Sequence, residues 1–574
     1  MPKIATRGDK ALRISKTRAS QVGKTCAGTV FLNGRIYTMD PTQPLVEALA
    51  IDDGKIQAVG TSEEIARFIN AETQPIDLAG RMAMPGLIDA HCHPVKGAIA
   101  LLFTARIAFS DDLDAIARII SAAAQQADPT QWIIGGRWGS GLFDGLTDQT
   151  PRAWLDKVVA TQPVYLRDDS GHNGCANSAA LAALGIDGDT NDPAGGRIVR
   201  AADGTTPNGL LLEQADVEAR ARIPDWTSDQ YRAGVQEMMR IAHGFGIVGV
   251  NDADATEPLL NAYQTTDRDG GLQLYVAASI STPYGARSTP LDYAHIESLC
   301  DNYASEHVDT RFVKIYEDGV PTSARTAAML SPYLAGDGFA ADHDGWLHVD
   351  EETLTQDIAA LEARGFTVKL HTAGDRSVRV ALNAIERAHA ISGREDLRHE
   401  LAHAGFVDDA DIPRFAALNA VADLSPYIWF PSPLNDSVVT ALGERGRRYW
   451  PIRDLLETGA PVLTGSDWPA AVASMDPWIG IETMVTRKPP GEESGPTLWG
   501  TQAIGLTRVL SMFTLESARA LRRDHQTGSL EAGKSADLIV LNQNLFDIEP
   551  WQISATRVLE TWFEGQRVFK ADPD

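Results

Sequence analysis

Residues 85–93 read PGLIDAHCH, an apolar run that ends on two histidines, His91 and His93. Alternation along a strand puts these two on one face and Cys92 on the other. The run belongs to a series of eight: 83–93, 246–254, 272–280, 311–318, 366–375, 398–404, 420–426 and 461–467. Helical patterns separate most of them. The stretch EETLTQDIAALEARG, 351–365, has apolar residues at helical spacing and acids in its first turn. Strands alternating with helices make a parallel α/β domain, and eight of them close most economically as a (β/α)8, TIM-like barrel.

The flanks read differently. Residues 29–82 are short strands broken at Asn33-Gly34 and Asp53-Gly54, both hairpin signals, and similar short strands return at 528–541 and 561–569. Two β-rich ends predict a small β-sandwich completed by both ends of the chain. The expected layout is a flexible basic N-terminal arm at 1–27, the first part of the sandwich at 28–82, and the barrel at 83–500. An insertion at about 94–245 interrupts the barrel, and a C-terminal helix with the rest of the sandwich fills 501–574. The insertion carries strand-like pieces in WIIGGRW, PVYLRD and GGRIVRAADGT. The first 24 residues hold seven basic residues and one acid without an apolar core, which argues against a secretory signal.

Composition narrows the class. With 574 residues, 44% hydrophobic and 22% charged, the chain is globular, not collagenous, disordered or coiled-coil. Fifty-one basic against 77 acidic side chains give a net charge of −26. Such a surface repels phosphate backbones and anionic lipid, so neither nucleic acid nor a membrane is an expected partner. No apolar run reaches the length of a membrane span. The four cysteines (Cys26, Cys92, Cys175, Cys300) form no C-x-x-C, which fits reduced thiols in a cytoplasmic protein.

Of thirteen histidines, four (His91, His93, His371 and His403) fall at the C-terminal ends of three predicted strands. Lys314 lies in the apolar run FVKIY, and Asp467 closes VLTGSD. Carboxyl ends of barrel strands converge on one mouth, where barrel enzymes keep their sites. Singly, each residue has an ordinary structural explanation: a salt-bridged lysine, a helix-capping aspartate. Jointly, five of the eight strands deliver a ligand-type residue at the same end, which is metal chemistry. No G-x-S-x-G elbow, P-loop or complete G-x-G-x-x-G follows a strand.

The segments PGLIDAHCH, VKIYEDG, KLHTAGDRSV, HELAHA and TGSDWP resemble, in order, the metal motifs of the amidohydrolase superfamily. The nearest branch in appearance is the YtcJ-like group, which includes N-substituted formamide deformylases. The resemblance runs from residue 29 nearly to the end and takes in SGHNGCANSAAL, GVPTSARTAAMLSPY and GSLEAGKSADLIVL. It implies a binuclear centre of two divalent cations, with His91, His93 and Asp467 on one and His371 and His403 on the other. Lys314, carboxylated by carbon dioxide, would bridge them. Zinc suits mostly imidazole ligation, while Mn2+ or Fe2+ also fit a carboxylate-rich bridge.

On that basis the expected function is hydrolysis of a non-peptide carbon–nitrogen bond of a small amide, formamide or cyclic amide by metal-activated hydroxide, with a lactone or ester as the alternative substrate. Asp467 is expected to shuttle the proton to the leaving amine. Burial between Val313 and Ile315 favours the neutral amine of Lys314, the form that carboxylation requires. His172, in SGHNG, is a candidate donor to the developing oxyanion, and Asp375 a partner of the ligands or a helix cap. Tyr316, Tyr427 and Trp429 are candidate walls of an apolar substrate pocket. Where the family often has Gln before the proline of its seventh strand, this chain has Ser425-Pro426. The partners expected are a small-molecule substrate and a second copy of the chain in a homo-oligomer, a dimer.

Two rivals remain at this level. His399-Glu400-Leu401-Ala402-His403 is a literal H-E-x-x-H, the helical zinc-peptidase signature. Spacing does not separate the readings, but the segment falls where the barrel needs its sixth strand, which leaves His399 structural. The other rival is a metal-poor barrel that binds without catalysis. Glu400→Gln abolishes activity on the peptidase reading and Lys314→Ala on the barrel reading, and absence of stoichiometric metal in protein purified without chelator would favour the binder.

Overall fold

Eight short strands, almost entirely buried, follow one another in parallel around a single sheet in chain order: β1 Leu87–Cys92, β2 Ile247–Ala255, β3 Tyr275–Ile280, β4 Val308–Tyr316, β5 Thr367–Thr372, β6 Glu400–His403, β7 Val421–Leu424 and β8 Val462–Thr464. Each overlaps one of the eight runs read from the sequence. Parallel strands covered on both faces need apolar residues at nearly every position, which is why the runs are continuous rather than alternating. The return from β8 to β1 is made by backbone: the Asp467 amide donates to the His91 carbonyl and the His93 amide to the Trp468 carbonyl, both at 2.7 Å. This computed structural model describes residues 26–572, apart from 109–110, 139–141, 147, 169–172, 194–195, 323, 336–338 and 471. His172 and the basic arm up to residue 25 lie outside the described residues.

Helices cover the barrel. The acid-led stretch noted above forms α1, Glu351–Ala363, whose N-cap Asp350 accepts the Thr353 amide at 2.9 Å. A second helix, α2, Asp375–Ser392, starts directly after β5.

Residues up to Pro94 with Val235–Asp574 form one compact unit, and Val95–Gly234 form another. Besides the barrel, the first unit contains two facing sheets drawn from both chain ends. One has four strands (Lys55–Gly60, Ala48–Asp52, Thr29–Leu32, Gln74–Asp77); the other has six (Gln566–Lys570, Val558–Phe563, Leu538–Leu541, Met82–Pro85, Arg35–Tyr37, Leu45–Val46). Phe31, Ile36, Leu49, Ile56, Leu538 and Trp562 share the core between them. Asp53-Gly54 is the expected hairpin, joining Ala48–Asp52 to Lys55–Gly60. Asn33-Gly34 is not one: the strands on its two sides lie in different sheets, so the turn carries the chain from one sheet to the other. Asn33 and Asp53 both take left-handed backbone, φ 55° and 50°. The second unit is a six-stranded sheet (Gly196–Arg200, Pro207–Glu213, Asn173–Ala176, Val164–Asp168, Ile133–Trp138, Ala105–Arg106) over a core of Ile116, Ile120, Leu155 and Leu166. Among the described residues no helix is long and apolar enough to cross a membrane.

One ion pair ties the sandwich to the barrel. His307, just before β4, holds Asp267 Oδ1 at 2.6 Å through Nδ1 and lies 3.5 Å from Glu564 Oε1 through Nε2. Burial pulls its pKa down, but Glu564 and Asp267 outweigh that and raise it to about 9. A folded pKa above the unfolded value of about 6.5 gives stability that is complete below pH ~6.5 and lost as pH rises through ~9. His307→Gln is therefore expected to destabilise the chain by about 1 kcal/mol at pH 6, with the difference from wild type closing by pH 9.5 in urea titrations.

Candidate metal centre

His91 is the last inward residue of β1 and is fully buried. Its Nδ1 meets Asp423 Oδ2 at 2.6 Å, whereas its Nε2 has no hydrogen-bond partner and lies 3.6 Å from Asp467 Oδ1. Asp467, two residues past Gly465 in the turn after β8, also faces His93 Nε2 at 3.3 Å and His403 Nε2 at 3.9 Å. That turn lies directly against β1: a Cβ on Gly465 would stand 2.2 Å from the His91 nitrogen. Only glycine lets the two strand ends come this close. The His91 and His403 rings are 4.9 Å apart, and those of His371 and His403 5.0 Å.

The donor set fits a cation. Ligand atoms about 2.1 Å from a common tetrahedral zinc stand about 3.4 Å from one another, and atoms of His91, His403 and Asp467 all lie within 4.8 Å. The imidazoles of His91 and His371 are in the ligating form. Burial first, then the ammonium groups of Lys369 and Lys314, push His91 well below its usual pKa. Burial, His403 and Lys314 do the same to His371. Burial alone would raise Asp467, but His403, His93 and His91 overcome it and hold the carboxyl below its ordinary range. His371 donates from Nε2 to the Gly319 carbonyl at 3.0 Å, which leaves Nδ1 as its acceptor nitrogen.

Lys314, on β4, is 1% exposed and lines the same cavity. Burial, followed by the neighbouring Lys369, lowers its pKa to about 8. Lys369 is its register partner on β5; the sequence reading missed it and Asp423, and weighed Glu400 only as part of the H-E-x-x-H rival. Lys369 Nζ lies 2.6 Å from both Glu400 Oε2 and Asp423 Oδ2. The signal was present: a charged residue inside each of three short apolar runs.

Asp318, also overlooked, builds the loop after His371. Its carboxylate accepts the amides of Ala373, Gly374 and Ala328 and the Ser377 hydroxyl, at 2.7 to 3.0 Å. Asp375 does not reach the ligands; it sits in the first turn of α2 and accepts the Leu330 amide at 2.7 Å.

The cavity measures about 320 Å³. Its polar half is the histidine cluster with Lys314 and Asp467; Val320, Pro321, Ile428, Leu434, Tyr449 and Trp450 make an apolar half. Tyr316 lines it as expected, but Tyr427 and Trp429 do not. After β7 the chain makes a helical turn, Pro426–Ile428, so Ile428 faces the cavity while the Tyr427 hydroxyl donates to Met475 O at 3.3 Å. Trp429 packs behind the wall, its ring 5.4 Å from Trp450, with the Arg487 guanidinium over its face at 4.9 Å.

The H-E-x-x-H segment is not a helix. Glu400 and His403 bound β6, and Glu400 points inward to Lys369. His399 turns instead to the helix layer, accepting the Val368 amide on Nδ1 at 3.0 Å and donating from Nε2 to Glu362 at 2.8 Å. His389 completes that buried cluster, 3.2 Å from the same carboxylate. With both His399 nitrogens committed, the group is a clamp between α1, α2 and β6, not a cation site.

The Amidohydrolase family model matches residues 74–569. Putative amidohydrolase YtcJ of Bacillus subtilis (strain 168) is 28% identical over 548 residues, covering 94% of this chain and 99% of its own. N-substituted formamide deformylase of Arthrobacter pascens is 26% identical over 552 residues, 93% of this chain and 97% of its own. An uncharacterized metal-dependent hydrolase from Pyrococcus horikoshii OT3 shares the fold at a TM-score of 0.73 and 21% identity, over 91% of this chain and 99% of that one. A family match over residues 74–569, which takes in every strand of the barrel and well over half of the chain, establishes that the chain belongs to the amidohydrolase family.

Proposed function

We propose that this metal-dependent hydrolase cleaves the carbon–nitrogen bond of a small amide, formamide or cyclic amide bearing an apolar group. The observation that carries the proposal is the lining of one cavity of about 320 Å³, in which four imidazoles, Lys314 and the Asp467 carboxylate share the space with Val320, Pro321, Ile428, Leu434 and Trp450. The likeness to the formamide deformylase of Arthrobacter pascens supports the bond type.

His91, His93 and Asp467 would hold one divalent cation, zinc by preference, and His371 and His403 a second, with carboxylated Lys314 between them. When bound, such cations make water acidic enough to attack at neutral pH and polarise the scissile carbonyl. Asp467, kept ionised by three imidazoles, takes the proton of the attacking water and returns it to the amine nitrogen, which leaves poorly as an anion. Lys314, with its pKa lowered to about 8, supplies the neutral amine that adds to carbon dioxide, forming the N–C bond as a proton departs. Lys369 keeps its proton: burial works against it, but Asp423 and Glu400 raise its pKa overall. Ile428 and Trp450 exclude water and seat the apolar group. A cytoplasmic setting accords with four unpaired cysteines.

Assay of metal-reconstituted protein on N-formyl, N-acyl, cyclic amide and lactone panels tests the reading. Turnover of the nitrogen compounds is expected, and turnover of lactones alone would overturn it. Loss of a partner behind a metal ligand costs about 10–100-fold, so Lys314→Ala is expected to lower kcat/KM by more than about 100-fold. Ile428→Ala removes apolar contact without touching the polar half; KM for the apolar substrate is expected to rise about tenfold with kcat held.

A further inference from the structure

Beneath the ligands lies a set of charges that the reaction does not use. Lys369 of β5, Glu400 of β6 and Asp423 of β7 are all fully buried. Lys369 Nζ stands 2.6 Å from Glu400 Oε2 and 2.6 Å from Asp423 Oδ2, and donates to the Ala90 carbonyl at 3.1 Å. Two hydrogen bonds, to Asp423 and Ala90, and an ion pair with Glu400 hold the ammonium. Burying such a trio takes three charges out of water, and apolar replacements of similar volume are often neutral or stabilising. Stability does not account for it.

Geometry does. The Asp423 oxygen that meets Lys369 also meets His91 Nδ1, again at 2.6 Å. An oxygen already taking an ammonium N–H and facing an imidazole nitrogen has no room for a proton of its own, so Nδ1 must carry the hydrogen. His91 Nε2 is then the lone-pair nitrogen, and it is the buried atom without a partner, 3.6 Å from Asp467. Reversing the tautomer would set a bare Nδ1 against a carboxylate and remove the lone pair from the side that faces Asp467.

We propose that Asp423 is a positioning residue: clamped by Lys369, which Glu400 anchors, it holds His91 in the Nδ1–H tautomer and aims Nε2 at a cation. The proposal rests on the metal reading above. It makes the charged floor a device for ligand orientation. In Asp423→Asn one amide oxygen can still accept from both Lys369 and His91, but the negative charge that holds the imidazole N–H and the ammonium is removed.

Competition for Zn2+ between the full-length protein and a chromophoric chelator tests this without any substrate. Asp423→Asn is expected to weaken one bound zinc by about 10–100-fold, with a smaller loss in the same direction for Lys369→Met. Glu362→Gln, in the clamp outside the barrel, is the control expected to keep wild-type affinity. Wild-type affinity in a folded Asp423→Asn overturns the proposal. Should both variants fail to fold, a zinc-loaded crystal structure of the unaltered protein decides: coordination through His91 Nε2 with Nδ1 on Asp423 supports it, and coordination through Nδ1 overturns it. If the unaltered protein retains no zinc, the metal reading falls and takes this inference with it, whereas unchanged affinity in Asp423→Asn removes this inference alone.

Discussion

The bond from the Asp467 amide to the His91 carbonyl, 2.7 Å long, joins the last barrel strand to the first. Every feature of the site depends on that closure. His91 and His93 come from β1, His371 and His403 from β5 and β6, and Asp467 follows β8; an open sheet would leave the first and last at opposite edges. Closure in turn depends on an absent side chain, since any Cβ at Gly465 would collide with the His91 backbone. Asp467 then takes left-handed backbone at φ 59°, a conformation aspartate tolerates better than most residues, and its carboxylate meets three imidazoles.

Within the closed barrel, identical residue types are given different roles by their partners. Lys314 and Lys369 are register neighbours on adjacent strands and equally buried. Lys369 meets two carboxylates and remains an ammonium; its charge helps to lower the pKa of Lys314, which has an aromatic ring and the histidine cluster about it. The same division separates His399 from His403. One has both nitrogens committed to Val368 and Glu362, and the other turns Nε2 towards Asp467.

The apolar half of the cavity is layered. Tyr449 and Trp450 face the space, with ring centroids 3.5 Å apart, and Phe406, Trp429 and Arg487 back them. Arg487 is fully buried, burial lowers its pKa to about 9, and it donates to the Tyr449 and Leu498 carbonyls. A wall supported this way keeps its shape when a ligand arrives, which is what orienting a small amide against a metal centre requires.

The amino-acid sequence by itself determined the eight strands, the sandwich hairpin at Asp53-Gly54, and the set of six ligand-type residues at one end of the barrel. These follow from local rules: parallel strands buried on both faces are continuously apolar, hairpin turns need left-handed residues, and polar residues at strand ends stand out against that background. The partner of each polar group, and the face on which each aromatic lies, were decided only by the tertiary structure. Lys369, Glu400 and Asp423 are single charges in separate apolar runs, and only strand order and register bring them to one point beneath His91. Tyr427 and Trp429 follow the seventh run closely in sequence, but a helical turn at Pro426–Ile428 sends their side chains away from the cavity, and nothing local in the sequence decides that. Hydrophobic pattern is a property of neighbours along the chain, whereas pairing of buried charges depends on residues that only the folded barrel makes neighbours.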